Sequence, residues 1–435
     1  MHLRLALPKF VSLLVLAIPT AAIQCKDESG KDVDYWFAYK YPVIASETYD
    51  GVMYSYLTSD DPSSFTQSKY AVTDSKSIMA VTLADIYSTG TGGKKGEFRH
   101  VSNSSSRSGS SSLGYMFYND QWPDGEWTED YGHSKGALAF DENEGFFLQH
   151  SVPDFPQWVD EGYEYGSSQE MYGQQLTCFT MSLDQLDAVA AGMKYSGPWV
   201  YDYAPLSSSS SANASLTSVT AVVNGSTRSE YWENASWSAI ATTLGGLELT
   251  VFAKTGGFGQ DMIDQIVSPA LGVPLISQSW LNSGTPLNSY CPKDGNYVVD
   301  TKTLAYGEGT EEWPTSYDHS KWVVSASSSS KWVCIVDNNR CQSQYTRGGL
   351  ATCLKDVTGW YDALKTGVVA EKDCAEGDDD LDCCYYDEAS CSSGDVCCLS
   401  GCHDPKTCSY TQQGCSSEYG ELHSCTWDDG MCVVP

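Results

Sequence analysis

The tripeptide His-Ser-Lys occurs twice in this chain, at residues 133–135 and at residues 319–321. In both places an apolar run, a polar turn and a second apolar run follow, and this pattern predicts a β-hairpin. Residues i and i+2 of a strand share a face, so we expect each imidazole to lie beside an ammonium group. The duplication indicates paired chemistry on an anionic, phosphate-like substrate.

Two imidazoles and two ammonium groups are sufficient to hydrolyse a phosphodiester without a metal. One imidazole, of His133 or His319, can attack phosphorus and form a phosphohistidine, while the other, protonated, donates to the departing oxygen. Lys135 and Lys321 then hold the non-bridging oxygens. Because the ordinary His pKa is about 6.5, the proton donor is fully populated only below neutral pH. The sequence leaves open which histidine is the nucleophile.

The repeat extends upstream of the two motifs. Val33–Tyr39 and Gly197–Tyr203 are both aromatic-rich strand candidates, and we interpret them as equivalent. On this alignment the second copy has about 23 additional residues, and the serine run 207–211 is an obvious place for them. The chain then divides into a first half, residues 23–195, and a second half, residues 196–374.

Composition favours a sheet-rich α/β fold. The chain is 41% hydrophobic and contains 13 Trp and 28 Tyr. Its many short alternating runs favour strands over a helical bundle. The residues from 23 onward number about 410, enough for two domains or one large fused domain.

The N-terminus has the features of a secretory signal peptide, residues 1–22. Arg4 and Lys9 precede the apolar stretch Phe10–Ile18, and Thr20–Ala22 is a small-residue cleavage site. No later segment approaches 18 uninterrupted apolar residues, so we expect no membrane span. Four Asn-x-Ser sequons agree with the secretory route and predict N-glycans, at Asn103, Asn213, Asn224 and Asn234.

Cysteine usage separates the last part of the chain from the rest. Six of the 17 cysteines lie in the body and 11 lie in the last 65 residues. In an oxidising compartment this density predicts a small disulfide-rich module, residues 375–435, whose function the sequence does not reveal. A zinc site built on the adjacent cysteine pairs 383–384 and 397–398 with His403 and His423 is the alternative. The spacing of a zinc finger is missing, which favours disulfides.

The net charge of −31 is unusual for a protein that acts on a polyanion. The last 65 residues hold 2 basic and 15 acidic residues, so −13 of this charge belongs to the Cys-rich end. Such a chain repels nucleic acid at neutral pH, and solubility in a secreted or acidic compartment is the simpler explanation of the acidic excess. Binding of nucleic acid therefore requires a local basic cluster, and it improves where carboxylates are protonated and His is charged.

The chain resembles the deoxyribonuclease II family in a series of co-linear segments. They are Cys25–Gly30, Val33-Asp34, Tyr39–Pro42, Tyr118–Gln121, Gly132–Gly136, His150–Pro156, Pro198–Tyr201, Phe252–Lys254, Asp318–Trp322, Trp332–Cys334 and Arg347–Gly349. The resemblance covers residues 25–374. It implies a phospholipase D-like pseudo-dimer of two β-sheet-rich halves flanked by helices, with both His-x-Lys motifs in one cleft. It also implies an acid endonuclease that cleaves DNA without a cofactor, leaves 3′-phosphate ends, and is lysosomal or secreted.

The resemblance implies further site residues and three disulfides. His150 follows the first hairpin, where the family has a His, and it is expected to contact phosphate or to orient His133; a structural role at a strand end is the alternative. The equivalent place in the second half is near Asp337 to Asn339, which makes Asn339 a further candidate. The implied disulfides are Cys25–Cys178, Cys334–Cys353 and Cys291–Cys374. Cys341 departs from the family pattern, and the alternatives for it are a bond to the Cys-rich module or a free thiol beside the site.

Two other classes of function remain open at this level. A phospholipase D-type enzyme acting on lipid head groups would use the same residues, but the sequence shows no evident membrane-binding face. A non-catalytic secreted, toxin-like binding protein would act through its Cys-rich module. Two intact His-Ser-Lys motifs argue against it, because a non-catalytic protein is not expected to keep both.

Overall fold

The structure is a computed structural model that describes residues 22–43, 49–89, 112–225, 231–282, 285–292, 295–307, 311–372 and 374, and four short strands beyond them. Residues 1–21, which include nearly all of the predicted signal peptide, and Asn103 lie outside the described residues. The chain divides into two compact units. A body unit comprises Met1–Tyr290 and Asn296–Asp373, and a tail unit comprises Cys291–Gly295 and Cys374–Pro435.

The first sheet of the body unit has eight antiparallel strands. A hairpin of β1 (Cys25–Lys26) and β2 (Asp32–Val33) precedes it. The strands of the sheet are β3 (Tyr35–Lys40), β4 (Tyr54–Thr58), β5 (Thr66–Gln67), β6 (Gly114–Tyr118), β7 (Gly136–Phe140), β8 (Glu144–His150), β9 (Gln174–Ser182) and β10 (Val200–Ala204). Their order is β10-β6-β7-β8-β9-β3-β4-β5. The central strands β6 and β7 are buried along their whole length, so both faces of the sheet are covered there.

The second sheet of the body unit has nine strands. They are β11 (Ser236–Thr242), β12 (Glu248–Lys254), β13 (Leu275–Gln278), β14 (Val298–Leu304), β15 (Trp313–Pro314), β16 (Trp322–Ser325), β17 (Trp332–Val336), β18 (Gly349–Lys355) and β19 (Val368–Glu371). Their order is β11-β12-β18-β17-β16-β13-β14-β15, with β19 beside β14. Only the β13–β14 pair is parallel among the pairings of this sheet in the described residues.

Helices join the two sheets. The α-helices are α1 (Ile78–Tyr87), α2 (Leu183–Ser196), α3 (Thr217–Val223), α4 (Ser268–Leu271) and α5 (Thr358–Thr366), and a π-helical turn, Ile263–Val267, runs into α4. Although α2 follows β9, it packs on β11, β12 and β18 of the second sheet. In return, Trp360 of α5 stacks on Phe37 of the first sheet, with ring centroids 4.5 Å apart. The predicted α/β architecture of two sheet-rich halves with flanking helices is confirmed.

Five strands recur in the two sheets with the same neighbours. The series β6-β7-β8-β9-β3 corresponds to β13-β16-β17-β18-β12. The register is also equivalent, because His150 N donates to Lys135 O in the first hairpin and Val336 N donates to Lys321 O in the second. The counterpart of His150 is therefore Val336, one residue before the segment that the sequence suggested.

The pairing of Val33–Tyr39 with Gly197–Tyr203 is wrong. The counterpart of β3 is β12, whereas β10 is an edge strand of the first sheet, next to β6. Counted from the ends of β3 and β12, 92 residues precede the His-Ser-Lys motif in the first half and 64 in the second. Aromatic composition is a poor guide to this alignment, because aromatic residues are common in buried strands whatever their position in the sheet. The division at residues 195 and 196 stays a proposal.

All three expected disulfides are present. Cys25–Cys178 joins β1 to β9, and Cys334–Cys353 joins the neighbouring strands β17 and β18. Cys291–Cys374 lies in the tail unit. The buried Cys341 thiol donates to Trp280 O at 3.6 Å. The two alternatives for Cys341, a bond to the Cys-rich module or a free thiol beside the site, stay predictions.

The tail unit contains two hairpins in its described residues. They are formed by β20 (Val396–Cys398) with β21 (Gly401–His403) and by β22 (Thr426–Asp428) with β23 (Met431–Val433). In the body unit the sequon residues Asn224 and Asn234 are exposed. Among the helices that the structure describes, none combines the length and apolarity needed to cross a membrane.

Candidate active site

His133 and His319 lie just before β7 and β16, and each is held by the opposite half of the body unit. His133 N donates to Gly348 O at 2.9 Å, and His319 N donates to Gly173 O at 2.8 Å. A Cβ atom on Gly173 would lie 2.4 Å from Asp318 Oδ2, so a side chain there would displace a buried carboxylate. Main-chain contacts between the halves thus bring the two motifs together.

The two imidazole rings are oriented in the same way. His133 Nδ1 lies 2.9 Å from Asp337 O, and His319 Nδ1 lies 2.8 Å from Ser151 O. A carbonyl oxygen only accepts hydrogen bonds, so Nδ1 is the donor in both rings, and in the neutral imidazole Nε2 retains its lone pair. Asp337 and Ser151 occupy equivalent positions after β17 and β8. Each ring therefore has an Nε2 that can attack phosphorus or, once protonated, donate a proton.

Ionic groups surround His133. The Asp120 carboxylate forms an ion pair with Lys135 Nζ, accepts from Arg347 Nη2 at 3.0 Å, and lies 3.7 Å from His133 Nε2. Arg347 also donates to Tyr131 O at 3.1 Å. Burial raises the pKa of Asp120, but Lys135 and Arg347 outweigh it, and the pKa is lowered overall. Asp120 is thus an anion that holds two cations beside the imidazole.

Aromatic groups surround His319. The Trp280 ring lies 5.1 Å from the imidazole and 4.7 Å from the Tyr172 ring, centroid to centroid. Lys321 Nζ donates to His319 O at 2.7 Å. Trp280 and Asp120 occupy equivalent positions. Trp280 lies two residues after the end of β13, which pairs with β16, and Asp120 lies two residues after the end of β6, which pairs with β7. Tyr172 and Arg347 occupy equivalent positions as well. Tyr172 precedes Gly173, which accepts from the His319 N–H, and Arg347 precedes Gly348, which accepts from the His133 N–H.

The electrostatic environment lowers the pKa of both histidines well below its ordinary value. For His133 the causes are burial and then the charges of Lys135 and Arg347. For His319 they are burial and then the charges of Lys321 and Lys135. Burial and the charge of Lys135 also lower the pKa of Lys321. Charges of one motif thus act on groups of the other, and the lowered pKa values favour the neutral form of both imidazoles.

Two buried carboxylates fix the loops that carry the motifs. Asp318 accepts from Ser320 N at 2.9 Å and from Trp313 Nε1 at 3.0 Å. Asp337 accepts from Gln149 Nε2 at 2.8 Å and from Leu350 N at 2.9 Å. Burial raises the pKa of Asp337 to about 6. Through its main-chain oxygen, Asp337 also positions His133.

Two buried lysines, Lys40 and Lys254, occupy equivalent positions at the ends of β3 and β12. Lys40 Nζ donates to Gln169 O at 3.0 Å and to Glu170 O at 2.7 Å. Lys254 Nζ donates to three carbonyl oxygens, of Gln344, Tyr345 and Arg347. Burial lowers the pKa of each lysine to about 7. Lys40 therefore holds the loop before β9, which carries Tyr172, and Lys254 holds the loop before β18, which carries Arg347.

His150 and Asn339 lie near these groups but contribute differently. The buried His150 accepts from Val152 N at 3.2 Å through Nδ1, and in the part of the chain that the structure describes its Nε2 has no hydrogen-bond partner. Burial and the charge of Lys135 lower its pKa well below the ordinary value. The Nδ1 of His133 contacts Asp337 and not His150. Asn339 is buried two residues after Asp337. The roles of both residues stay predictions.

Comparison with known proteins assigns the chain to a family. A family model described as Deoxyribonuclease II matches residues 24–374. Similar proteins include Deoxyribonuclease-2-alpha of Rattus norvegicus, which is 31% identical over 83% of this chain and 99% of its own length. Plancitoxin-1 of Acanthaster planci is 30% identical over 82% and 96%, and Deoxyribonuclease-2 of Caenorhabditis elegans is 29% identical over 81% and 96%.

The chain belongs to the deoxyribonuclease II family. The family match contains both His-Ser-Lys motifs and every residue of the site described above, and it ends at residue 374, before the Cys-rich module. The resemblance that the sequence suggested is therefore confirmed.

Sequence reasoning did not assign roles to Asp120, Arg347 and Asp337. Asp120 and Arg347 stand in segments that carry the deoxyribonuclease II resemblance, so the family pattern offered a signal for both. Their ion pair joins residues 227 positions apart, and only the strand order makes them neighbours. Trp280 and Tyr172 had no signal at all, since a single aromatic residue is ordinary in this composition.

Proposed function

We propose that this chain is an acid endonuclease that hydrolyses DNA phosphodiesters without a metal, through a phosphohistidine, and leaves 3′-phosphate ends. The main support is the pair of imidazoles of His133 and His319, each anchored at Nδ1 by a carbonyl of the opposite half and each accompanied by a lysine. Membership of the deoxyribonuclease II family supports DNA as the substrate and disfavours a lipid head group.

The reaction begins with attack on phosphorus. Nε2 of one histidine forms the new N–P bond as the bond between phosphorus and the 5′ oxygen breaks. The other histidine, protonated on Nε2, gives its proton to that departing oxygen, which leaves as a 5′-hydroxyl. Lys135, Lys321 and Arg347 neutralise the charge on the non-bridging oxygens, in a site where burial strengthens the attraction.

The second step releases the product. The histidine that has lost its proton accepts one from water, and the resulting hydroxide forms a bond to phosphorus as the N–P bond breaks. The DNA fragment leaves with a 3′-phosphate, and both histidines return to their starting states. The proton that the acid gave in the first step is regained in the second, so no cofactor is consumed.

The pKa shifts support an acid optimum. One imidazole must be protonated and the other neutral, and both pKa values are lowered in the protein. The protonated form is therefore scarce at neutral pH and accumulates only as the pH falls well below 6.5. A bound phosphodiester adds negative charge, which favours protonation of the acid histidine.

A local cluster of cations provides a place for DNA to bind despite the negative net charge of the chain. Three cations, Lys135, Lys321 and Arg347, lie within the site, together with the carboxylates of Asp120, Asp318 and Asp337. Burial raises the pKa of Asp337 to about 6, so protonation of this carboxylate and of an imidazole at acid pH leaves positive charge in excess there, although the chain as a whole carries −31. At acid pH the overall repulsion decreases as surface carboxylates are protonated.

We further propose that the protein is glycosylated and is secreted or lysosomal. The N-terminal signal features, the disulfides and the exposed sequons at Asn224 and Asn234 support this route. Asn213 is a poorer acceptor, because its Nδ2 donates to Ser207 O at 2.9 Å.

Plasmid nicking at pH 5 in excess EDTA tests the proposal. We expect nicking to persist and the 5′ ends to be labelled by polynucleotide kinase without prior phosphatase, since they carry hydroxyls. Alkaline quenching followed by mass spectrometry should find phosphate on His133 or His319 and so identify the nucleophile. Activity that EDTA abolishes and a divalent metal restores would refute the mechanism, and 5′ ends that need phosphatase would refute the polarity of cleavage.

A further inference from the structure

The two halves of the site differ at positions that the fold makes equivalent. Beside His133 these positions hold the ion pair of Asp120 and Arg347, with Arg347 Nη2 3.0 Å from Asp120 Oδ2. Beside His319 they hold Trp280 and Tyr172. A cluster of charges suits a phosphate, whereas two aromatic rings suit a planar, apolar group.

The aromatic pair is accessible and its geometry is constrained. Tyr172 and Trp280 are half-buried, in contrast to the fully buried core tryptophans Trp36 and Trp322. Their rings are inclined at 73°, so one ring supports the edge of the other. The adjoining main chain is anchored on both sides, by Gly173 N donating to Tyr317 O at 2.8 Å and by the Cys341 thiol donating to Trp280 O.

A nucleobase is the planar group that lies nearest a scissile phosphate in DNA. Bases stack on aromatic side chains with little dependence on sequence, and each stacked base contributes substantially to binding. The Trp280 ring is only 5.1 Å from the His319 ring, so a base stacked on it belongs to a nucleotide next to the reacting phosphate.

We propose that Tyr172 and Trp280 form a stacking subsite for the nucleobase that flanks the scissile phosphate on the His319 side. This inference rests on the proposed nuclease function and extends it to the orientation of the strand. The base enters the aromatic side, and the backbone phosphate continues to the ionic side at Lys135 and Arg347. A base that stacks on the protein has left its partner strand, so occupation of this subsite by a duplex requires local unpairing of that base.

The test compares intact and abasic single-stranded oligonucleotides, each with one preferred cleavage position. One abasic substrate lacks the base on the 5′ side of that position and the other lacks it on the 3′ side. With the full-length protein we expect one of the two losses to lower kcat/KM roughly tenfold. The side that matters reports the orientation of the strand.

Variants separate stacking from a structural effect. Trp280→Ala and Tyr172→Ala should each lower kcat/KM on the intact oligonucleotide roughly tenfold, and should match the wild type within about twofold on the sensitive abasic substrate. Trp280→Phe should retain most of the activity. Trp332→Ala is the matched control, since Trp332 is also half-buried but lies at the opposite end of β17 from Asp337, and this variant should behave as wild type.

Two outcomes would overturn the inference. A wild type that cleaves both abasic substrates as fast as the intact one has no base subsite at this position. Variants impaired equally on intact and abasic DNA would show that the rings only support His319. A wild type that cleaves no DNA would instead refute the proposed function itself.

Discussion

The half-site around His133 and the half-site around His319 have the same backbone and different neighbours. In both, Nδ1 is fixed by a carbonyl from the opposite half, and the lysine lies two residues after the histidine. The positions that flank the ring hold Asp120 and Arg347 in one case and Trp280 and Tyr172 in the other. Shared backbone contacts thus fix the two imidazoles, while the side chains at the flanking positions differ, and we propose that these side chains bind different parts of an asymmetric substrate.

The largest effect should come from the shared part of the comparison. His133→Ala and His319→Ala should each reduce kcat by at least about a thousandfold, because each removes one of two interdependent groups. The double variant should be little worse than either single variant. Single-turnover cleavage of a labelled oligonucleotide at pH 5 measures all three. If either single variant retained half of the wild-type rate, two independent sites would replace the shared one.

The next effect concerns the ionic half-site alone. Asp120→Asn removes the anion 3.7 Å from His133 Nε2 and leaves Lys135 and Arg347 unneutralised. We expect kcat/KM to fall roughly tenfold or more and its pH profile to move to lower pH, because the protonated His133 loses a favourable charge. An unchanged profile with a lowered rate would contradict this role.

Stability has to be followed in parallel for this variant. Breaking a buried ion pair by removing one partner typically costs about 3–5 kcal/mol. The double variant Asp120→Asn with Arg347→Gln should recover part of the stability and none of the activity. Thermal unfolding of both variants gives this comparison.

A smaller effect should distinguish the two buried lysines. Lys254 holds the carbonyl of Arg347 itself, whereas the contacts of Lys40 end at Glu170, two residues before Tyr172. Lys254→Met should therefore lower kcat/KM roughly tenfold and Lys40→Met only a fewfold, since orphaned carbonyls loosen each loop. Activity measured relative to the folded fraction checks the order. Equal losses would show that the two loops are equally important to the reaction.

The smallest effect concerns a buried charge cluster that, among the described residues, is present in the second half and has no counterpart in the first. Arg340 Nη1 lies 2.7 Å from Asp300 Oδ1, and Arg340 Nη2 lies 3.3 Å from Asp264 Oδ2. The first half has Asp154 at the position of Arg340. Burial, and then the neighbouring Asp261, raise the pKa of Asp264 from 3.8 to about 7.

Because the folded-state pKa of Asp264 is raised, the native protein binds more protons than the unfolded chain between about pH 4 and pH 7. This group therefore makes the protein less stable as the pH rises through that window. As the pH rises from about 4 to about 7, the free energy of unfolding of Asp264→Asn should therefore increase relative to that of the wild type, by on the order of 2 kcal/mol. Urea unfolding at pH 4 and pH 7.5 measures the difference, with the exposed Glu142→Gln as control. A difference that does not change with pH would contradict the assignment. The histidines, whose pKa values are lowered, act in the opposite direction but equally in both proteins.

The sequence predicted those parts of the molecule that local pattern determines. Both hairpins after the His-Ser-Lys motifs, the sheet-rich α/β class and the family followed from short-range patterns, and the family gave three correct disulfides. The alignment of Val33–Tyr39 failed because strand composition reports burial and not position in the sheet. Asp120 with Arg347, and Tyr172 with Trp280, could not be paired in advance, since each pair forms only where β18 or β9 passes the opposite half.

The reciprocal main-chain hydrogen bonds between the halves, to Gly173 O and Gly348 O, have a consequence for the motions of the protein. Each histidine N–H is bonded to the other half, so a fluctuation that separates the halves breaks both bonds at once. The amides of His133 and His319 should then exchange with solvent deuterium at the same rate, in a single cooperative opening. A molecule with one half-site intact and the other released is not expected as a populated state.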